Sequence, residues 1–310
     1  MSNLAAVSLG GYQGSGSILS ASLNTLAQSL KASELFGPIA TALDVTAQGE
    51  TAGQLFQSVN QGSRQICYAA SGYLTGYAPD LAALDLPFTV KSRDTALGAL
   101  DGSAGQWLGQ QLSENSNFKV LGFWDNGFRH ISNSVRPLYK PLDTQGLKIR
   151  TLDSAIYREA LNALGFTAVT TDVSELKRVL KSGELQAQEN PLTNYNNFKI
   201  YENHPYVSLT GHFFGVLLLV CNREWLDSLS LEQQRALNAA AAIATQQQRT
   251  LAAQQDSALQ NELAQRGVKI VPSSELEMAA MRNVTAYIVD RERQTLSKPI
   301  VQQYLDLQLH

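Results

Sequence analysis

Three short segments of this chain carry residue types that can hold an anion. They are GFWDNGFRHISN (122–133), DTQGLKIR (143–150) and GELQAQENP (183–191). Each follows or ends an apolar stretch with strand character. In open α/β sheets, ligands gather at the carboxyl ends of strands. Arg150 comes directly after Leu147-Lys148-Ile149, so its guanidinium can emerge at such an end. Arginine is always charged, and its planar fork matches a carboxylate with two parallel hydrogen bonds. A second arginine, Arg129, and Asn190, held extended by Pro191, can take the remaining oxygen lone pairs. For any single arginine the plain alternative is a surface ion pair, and Arg136 before Pro137 keeps that reading.

Other chemistries lack their residues. No H-E-x-x-H, no paired histidines at helical spacing and no G-x-S-x-G occur. The loop Gly14-Ser15-Gly16-Ser17 has no lysine to reach a phosphate and reads as a turn or a binding-site loop. His130, His204 and His212 are isolated in sequence and default to hydrogen-bonded packing roles. Cys67 and Cys221 cannot make a disulfide scaffold or a C-x-x-C site, and read as buried small hydrophobes.

Elements able to position these residues are legible. Ala5–Leu9 reads as a strand, then a helix with Ile18, Leu19, Leu23, Leu26 and Leu30 on one face and Ser17 as its cap. Ile39–Val45 is a strand, Leu55, Phe56 and Val59 mark a short helix ending at Gly62, and Gln65–Ala70 is a strand. This β-α-β-α-β order predicts a parallel sheet with helices on its faces. The middle adds strands at Phe118–Trp124, Leu147–Thr151, Phe166–Thr171, Leu185–Gln188, Val207–Thr210 and Phe213–Val220. Its helices run over Ser154–Leu164 and after Asp172. From Ser230, with Gln233 as its capping-box partner, to Arg266 there is no Gly or Pro. Such a helix either spans two domains or breaks near Gln246-Gln247-Gln248. Ser274 and Glu277 suggest a further capped helix, which Pro299 would end or kink.

The chain has 310 residues, enough for two domains, with 24 Lys plus Arg against 27 Asp plus Glu. This near-neutral balance, with scattered basic residues, gives no nucleic-acid footprint. The apolar run Phe213–Cys221 is far too short for a membrane span, and Met1-Ser2-Asn3 lacks the charged start and long apolar run of a signal peptide, which leaves as expectations a cytoplasmic protein or a mature form with a replaced start. No linker separates two halves, which suggests chain crossings between α/β lobes.

At these segments the sequence resembles a known family, the extracytoplasmic solute-binding proteins of tripartite ATP-independent periplasmic (TRAP) transporters. GFWDNGFRHISNSVRP is similar to the family's G-W-x-N-G-x-R-x-x-[ST]-N-x-x-R-P region, and DTQGLKIR to its D-x-x-G-L-K-[IL]-R segment. SGELQAQENPLTN resembles G-x-[VL]-D-x-[GA]-Q-E-N-P, and residues 208–237 resemble the family's strand, W-x-x-L-[SP]-x-E turn and helix. LDLPF and VNQGSRQICYAASGYL carry weaker likenesses, so the resemblance runs over roughly residues 5–300.

The resemblance implies a periplasmic-binding-protein-like fold: two α/β lobes around a ligand cleft, joined by crossing strands and a long helix. Residues 1–126 with 214–256 would form the N-terminal lobe, and 127–213 with 257–310 the C-terminal lobe. It implies that Arg150 pairs with a substrate carboxylate, with Arg129 and Asn190 as further contacts and His130 and Ser132 as flanking supports. Asp153, Phe213, Phe214, Trp124, Ser71 and Tyr12 complete the expected ligand-binding set. It also implies capture of a small organic acid by domain closure and delivery to the transporter's integral membrane subunits. The protein would be a monomer in the periplasm, its signal peptide removed, with no cofactor, metal, nucleic-acid partner or catalytic role.

Two departures bear on the ligand. Gln186 stands where the family has Asp, and the stretch Tyr68–Tyr73 lacks a Glu that some members carry. With Phe213, Phe214 and Trp124, they point to a pocket open to aromatic or branched monocarboxylates as well as C4-dicarboxylates and sugar acids. The rival readings are a ligand-binding sensor domain and an α/β enzyme using Asp153 and Glu189 as acid and base.

Overall fold

The computed structural model describes residues 6–308. Ala5, where the first expected strand begins, lies outside the described residues. Strands β1 (Val7–Gly10), β2 (Ile39–Ala42) and β3 (Ile66–Ala70) form a parallel set in the order β2-β1-β3. Helices α1 (Ile18–Ala32) and α2 (Ala52–Asn60) connect them. Ser17 caps α1 as expected, its hydroxyl accepting from the amides of Leu19 and Ser20. A second parallel set comprises β5 (Lys148–Thr151), β6 (Thr167–Thr170) and β7 (Ala187–Pro191).

Two long strands join the sets. β4 (Phe118–Asn133) and β8 (Tyr206–Asn222) pair antiparallel along their length. β8 then pairs with β3, and β4 with β7. The short β9 (Lys269–Val271) adds to β8, giving a nine-stranded sheet among the described residues. The two strands expected at 207–210 and 213–220 are therefore one. Gly211, at φ 53°, keeps the chain running through the point between them, in a backbone conformation that suits glycine. Likewise the 122–133 segment does not follow a strand; it is the strand.

The expected 230–266 helix is unbroken. With helices α3 (Arg93–Asp101), α4 (Ser103–Asn115), α5 (Ala155–Ala163), α6 (Leu176–Lys181), α7 (Leu192–Asn197) and α8 (Arg223–Ser228) before it, it is α9 (Leu231–Gln265). Its 35 residues span about 52 Å at 1.5 Å per residue. The Ser230–Gln233 capping box starts it. The glutamine cluster that could have broken it instead anchors it. The β4–β8 register shifts between Asp125 and Gly127, as at a β-bulge, which disturbs the ladder there. The buried Gln248 amide takes up both backbone groups of Asp125, accepting from its N–H (2.7 Å) and donating to its C=O (2.6 Å).

Two other expectations fail. Helix α10 (Met278–Thr295) begins after Glu277, which makes no side-chain cap, so the Ser274–Glu277 box does not form. Pro299 lies in the first turn of the helix that follows rather than ending α10. Cys67 and Cys221 are free and fully buried, as expected. No helix of the described residues is long and apolar enough to cross a membrane.

Buried side chains fall into one large cluster around β1, β3 and α4 and two smaller ones around β5 to β7. These are the cores of two α/β lobes. Leu296, Ile300, Tyr304 and Leu305 join the first, among Leu100 and Leu108. The expected placement of all of 257–310 in the C-terminal lobe therefore does not match the packing: the chain crosses back and buries its last apolar residues on α3 and α4. Leu152, Ile156 and Tyr157 of the second lobe also join the first lobe's cluster, so the lobes touch.

The α3–α4 junction depends on the absence of a side chain. A Cβ at Gly105 would lie 1.9 Å from the Leu100 carbonyl oxygen. Gly105→Ala should force the helices apart and cost about 1–3 kcal/mol, as overpacking does. An undiminished midpoint in urea would contradict this.

Candidate functional site

Arg150 is the third residue of β5, and only 3 % of it is exposed. Its Nε and Nη2 both donate to the Thr171 carbonyl, at 3.0 and 2.6 Å, which fixes the plane of the guanidinium. No ion pair involves it among the described residues. Burial pulls its pKa down, and the nearby Arg129 adds to that, while Tyr73 and Glu189 oppose it. Arginine does not shed its proton in proteins. Among the described residues Arg150 is therefore a buried cation without a carboxylate partner, held by the Thr171 carbonyl and a side-chain hydrogen bond with Tyr73, and such a charge is costly until a counter-charge arrives.

Arg129 is the contrast. It sits on β4 and Glu189 on β7, two positions apart across the ladder and on one face. Its Nε and Nη2 hold both carboxylate oxygens of Glu189, and Nη2 also donates to the Glu189 carbonyl at 2.9 Å. Both side chains are buried. Thr151 donates to the same carboxylate at 3.0 Å. Glu189 lifts the Arg129 pKa further above its already high value despite burial. His212, whose Nε2 lies 3.8 Å from Glu189, and His130 add no charge near neutral pH. Burial and the Arg129 charge push His130 down to about 4 and His212 well below its usual range. Arg129 and Glu189 cancel, so the two arginines leave one net positive charge.

Both arginines line a small cavity of about 30 Å³ between the lobes. Tyr12, Tyr73 and Ala70 of the first lobe face Arg150, Asn190 and Phe198 of the second. A chain of amides runs along one side. Gln13 Nε2 donates to Asn194 Oδ1 (3.0 Å), and Asn194 Nδ2 donates to Asn190 Oδ1 (3.2 Å) and Asn126 Oδ1 (3.4 Å). Asn190 Nδ2 donates to Gln188 Oε1 (2.6 Å), whose Nε2 reaches the Ser132 hydroxyl (2.5 Å). Side-chain amides offer donors and acceptors together, as hydroxyl groups require.

Of the expected contacts, Arg150, Arg129, Asn190 and Tyr12 line this cavity. Five do not: one is exposed and four are engaged in packing or hydrogen bonds elsewhere. Asp153 is exposed. Trp124 is fully buried, donating to Thr245 of α9 (3.0 Å) and tilted on Tyr68. Phe213 stacks on Tyr157, ring centroids 3.9 Å apart, and Phe214 packs on Phe128. Ser71 donates to Asp85 (2.7 Å). His130 and Ser132 stand behind the lining: His130 Nδ1 accepts from the Gly211 amide, and Ser132 ends the amide chain. Among the described residues Arg136 makes no ion pair; it holds the carbonyls of Asp143 and Gln145.

Sequence reasoning missed Gln13, Tyr73, Asn126 and Asn194. Their signals were present: Asn126 lies in DNG, Asn194 ends ENPLTN, and Gln13 lies in the small-residue loop left as a turn or binding loop.

Behind the lining sits a titrating group. Asp85 is buried, bonded by Ser71 and more distantly by Ser154 (3.4 Å), the cap of α5. Burial pushes its carboxyl up to about 7, against the Ser71 bond and the Arg129 charge, with Glu189 adding to the rise. The unfolded chain releases this proton near 3.8, so between about pH 4 and 7 the folded state binds more protons. Its stabilising contribution is full at low pH and is lost as pH rises through 7. Asp85→Asn should remove that loss. Its stability relative to wild type should rise between about pH 4 and 7 and level off above that, by at most about 4 kcal/mol for a shift of roughly three units. Urea midpoints that keep a constant offset across this range would refute it.

Comparisons with known proteins fit this architecture. A family model described as bacterial extracellular solute-binding protein, family 7 (DctP), matches residues 11–295. An uncharacterized protein of Haemophilus influenzae is 36 % identical over 217 residues, 70 % of this chain and 66 % of that protein. The 2,3-diketo-L-gulonate-binding periplasmic protein YiaO of Escherichia coli is 32 % identical over 217 residues, with the same coverage, 70 % and 66 %. The chain thus spans just under two thirds of these relatives' lengths. The sugar acid binding protein DctPAm of Advenella mimigardefordensis, solved with galactonate, superposes with a TM-score of 0.93 at 25 % identity, covering 99 % of this chain and 98 % of that one.

Proposed function

The chain belongs to the bacterial extracellular solute-binding proteins of family 7, and from that premise we propose that it captures a hydroxylated monocarboxylate, a sugar acid, by closing two lobes around it. The observation that carries this reading is the charge of the cavity. Arg129 is neutralised by Glu189, and Arg150 alone lacks a carboxylate. One free positive charge takes one carboxylate. A C4-dicarboxylate would bury a second charge without a partner, which is costly. The amides of Gln13, Asn126, Asn190 and Asn194 then serve hydroxyl groups, and the rings of Tyr12 and Tyr73 the apolar face of the carbon chain. Galactonate in the Advenella protein and 2,3-diketo-L-gulonate in the name of the E. coli relative are acids of this kind.

The lobes in this reading are residues 6–126 with 214–256 and 296–308, and residues 127–213 with 257–295. A ligand bridging Arg150 and the first lobe's rings shifts the population toward the closed state by its differential affinity for the two states. The closed form then docks on TRAP membrane subunits in the periplasm.

The test is thermal unfolding against a panel of aldonates, uronates, branched and aromatic monocarboxylates and C4-dicarboxylates. A ligand at 100 times its Kd adds about 2.7 kcal/mol to the native state, a shift of several degrees. Stabilisation by sugar acids and not by succinate or malate is expected. Stabilisation by dicarboxylates alone, or by no acid after denaturation and refolding to strip bound ligand, would overturn the reading.

A further inference from the structure

A second cavity adjoins the first. It has a volume of about 280 Å³, against about 30 Å³ for the arginine cavity. The two linings have Gln13 and Asn194 in common, and these two side chains are bonded to each other at 3.0 Å. Gln13 also accepts from Asn197 Nδ2 at 3.4 Å, and its backbone carbonyl is held by the Ser20 hydroxyl at 2.6 Å. It is 2 % exposed. Gln13 comes from the loop after β1, in the first lobe, and both asparagines from α7, in the second. Its side chain is thus a partition that forms only when the lobes meet.

We infer that Gln13 sets the upper length of the ligand: bonded to Asn194 it closes the arginine cavity, and without it a glycosylated aldonate extends into the second cavity. This rests on the sugar-acid reading above. The second cavity's chemistry selects the tail. Ser17, Thr193, Asn197 and Gln255 line it with neutral polar groups. The one charged lining residue, Glu262, is paired with Arg266 at 3.7 Å. Neutral hydroxyls fit there, and a second carboxylate does not. Gly16 contributes space as well, since nothing lies within 4 Å of where its Cβ would be.

The experiment is calorimetric titration of the full chain with glycerate, erythronate and gluconate as the short series and lactobionate (gluconate carrying a galactosyl group) as the long probe. In wild type the best short acid should bind at least tenfold more tightly than lactobionate. In Gln13→Ala that ratio should shrink at least tenfold. Weaker lobe closure lowers all affinities together, so the ratio isolates the partition from a loss of interlobe bonding. Ala258 lines only the second cavity of the two. Ala258→Trp added to Gln13→Ala should restore the wild-type ratio by filling that space. A ratio unmoved by Gln13→Ala, or moved and not restored by Ala258→Trp, would overturn the inference. Should Gln13→Ala not fold, Gln13→Ser carries the same expectation. If wild type binds short acids and the ratio stays fixed, only this inference fails. If it binds none of the hydroxy acids, the sugar-acid reading fails and this one with it.

Discussion

Arg150→Ala should weaken sugar-acid binding by about 2–5 kcal/mol, roughly thirtyfold to several thousandfold in Kd, the range for breaking a buried, hydrogen-bonded charge pair. The ligand's carboxylate would enter the cavity and find the Thr171 carbonyl, another acceptor, where the guanidinium had been. Arg150→Lys should recover part of the loss, because an ammonium keeps the charge but lacks the planar fork. The ligand-free variant should melt no lower than wild type, since its removal relieves a buried charge that has no counter-charge. This pairing of outcomes separates a binding role from a structural one. Equal Kd values for wild type and Arg150→Ala would remove Arg150 from the site.

Glu189→Ala should have the opposite profile. It strips the carboxylate from a buried Arg129 and should cost about 3–5 kcal/mol, a large part of the 5–15 kcal/mol that typically holds a domain together. Urea unfolding would show it as a lowered midpoint. Adding Arg129→Met should recover much of the loss, because the orphaned charge then goes too. The milder Glu189→Gln leaves the cavity with two free positive charges. It should raise the affinity for succinate or malate relative to gluconate at least tenfold. A Glu189→Ala variant as stable as wild type, or a Glu189→Gln variant with unchanged preference, would remove the charge-cancellation argument.

The sequence identified which residues could do the chemistry more reliably than where their side chains would point. Arg150, Arg129 and Asn190, which line the cavity, lie in segments that resemble a family's motifs. Tyr12 came from the small-residue loop. Phe213, Phe214 and Trp124 do not line the arginine cavity, and the strand ladder bears on where their rings go. On a strand, a side chain's face follows from counting residues in twos, and a single shift of register inverts it. The β4–β8 ladder shifts at three places, between Val120 and Gly122, Asp125 and Gly127, and Arg129 and Ile131. Residues on either side of such a shift change faces relative to the partner strand, so the side a ring presents is set by the ladder and not by its spacing in the sequence. A fully buried ring also looks the same in sequence whether it meets a ligand or Tyr157.

Local rules fixed the elements. Ser17 and Ser230 start α1 and α9 because a hydroxyl at that position satisfies amides that the helix cannot. The unbroken run from 231 to 265 holds no glycine or proline, so nothing local interrupts it. Where two local signals competed, tertiary contacts chose. Ser274 and Glu277 had the capping spacing, but the Glu277 amide bonds to the Tyr139 carbonyl instead.

The sequence by itself determined the fold class, the long helix and which arginine-bearing segments could hold an anion. These follow from periodicity, caps and residue chemistry, which act over a few residues. Only the tertiary structure decided that Glu189 cancels Arg129 and leaves Arg150 free, that Gln13 meets Asn194 across the cleft, and that Leu296, Ile300, Tyr304 and Leu305 return to the first lobe. Those outcomes depend on pairs separated by 60 and 181 positions and on a tail that crosses back over the molecule. Charge balance and cavity walls belong to such pairs, and no short stretch of chain contains both partners.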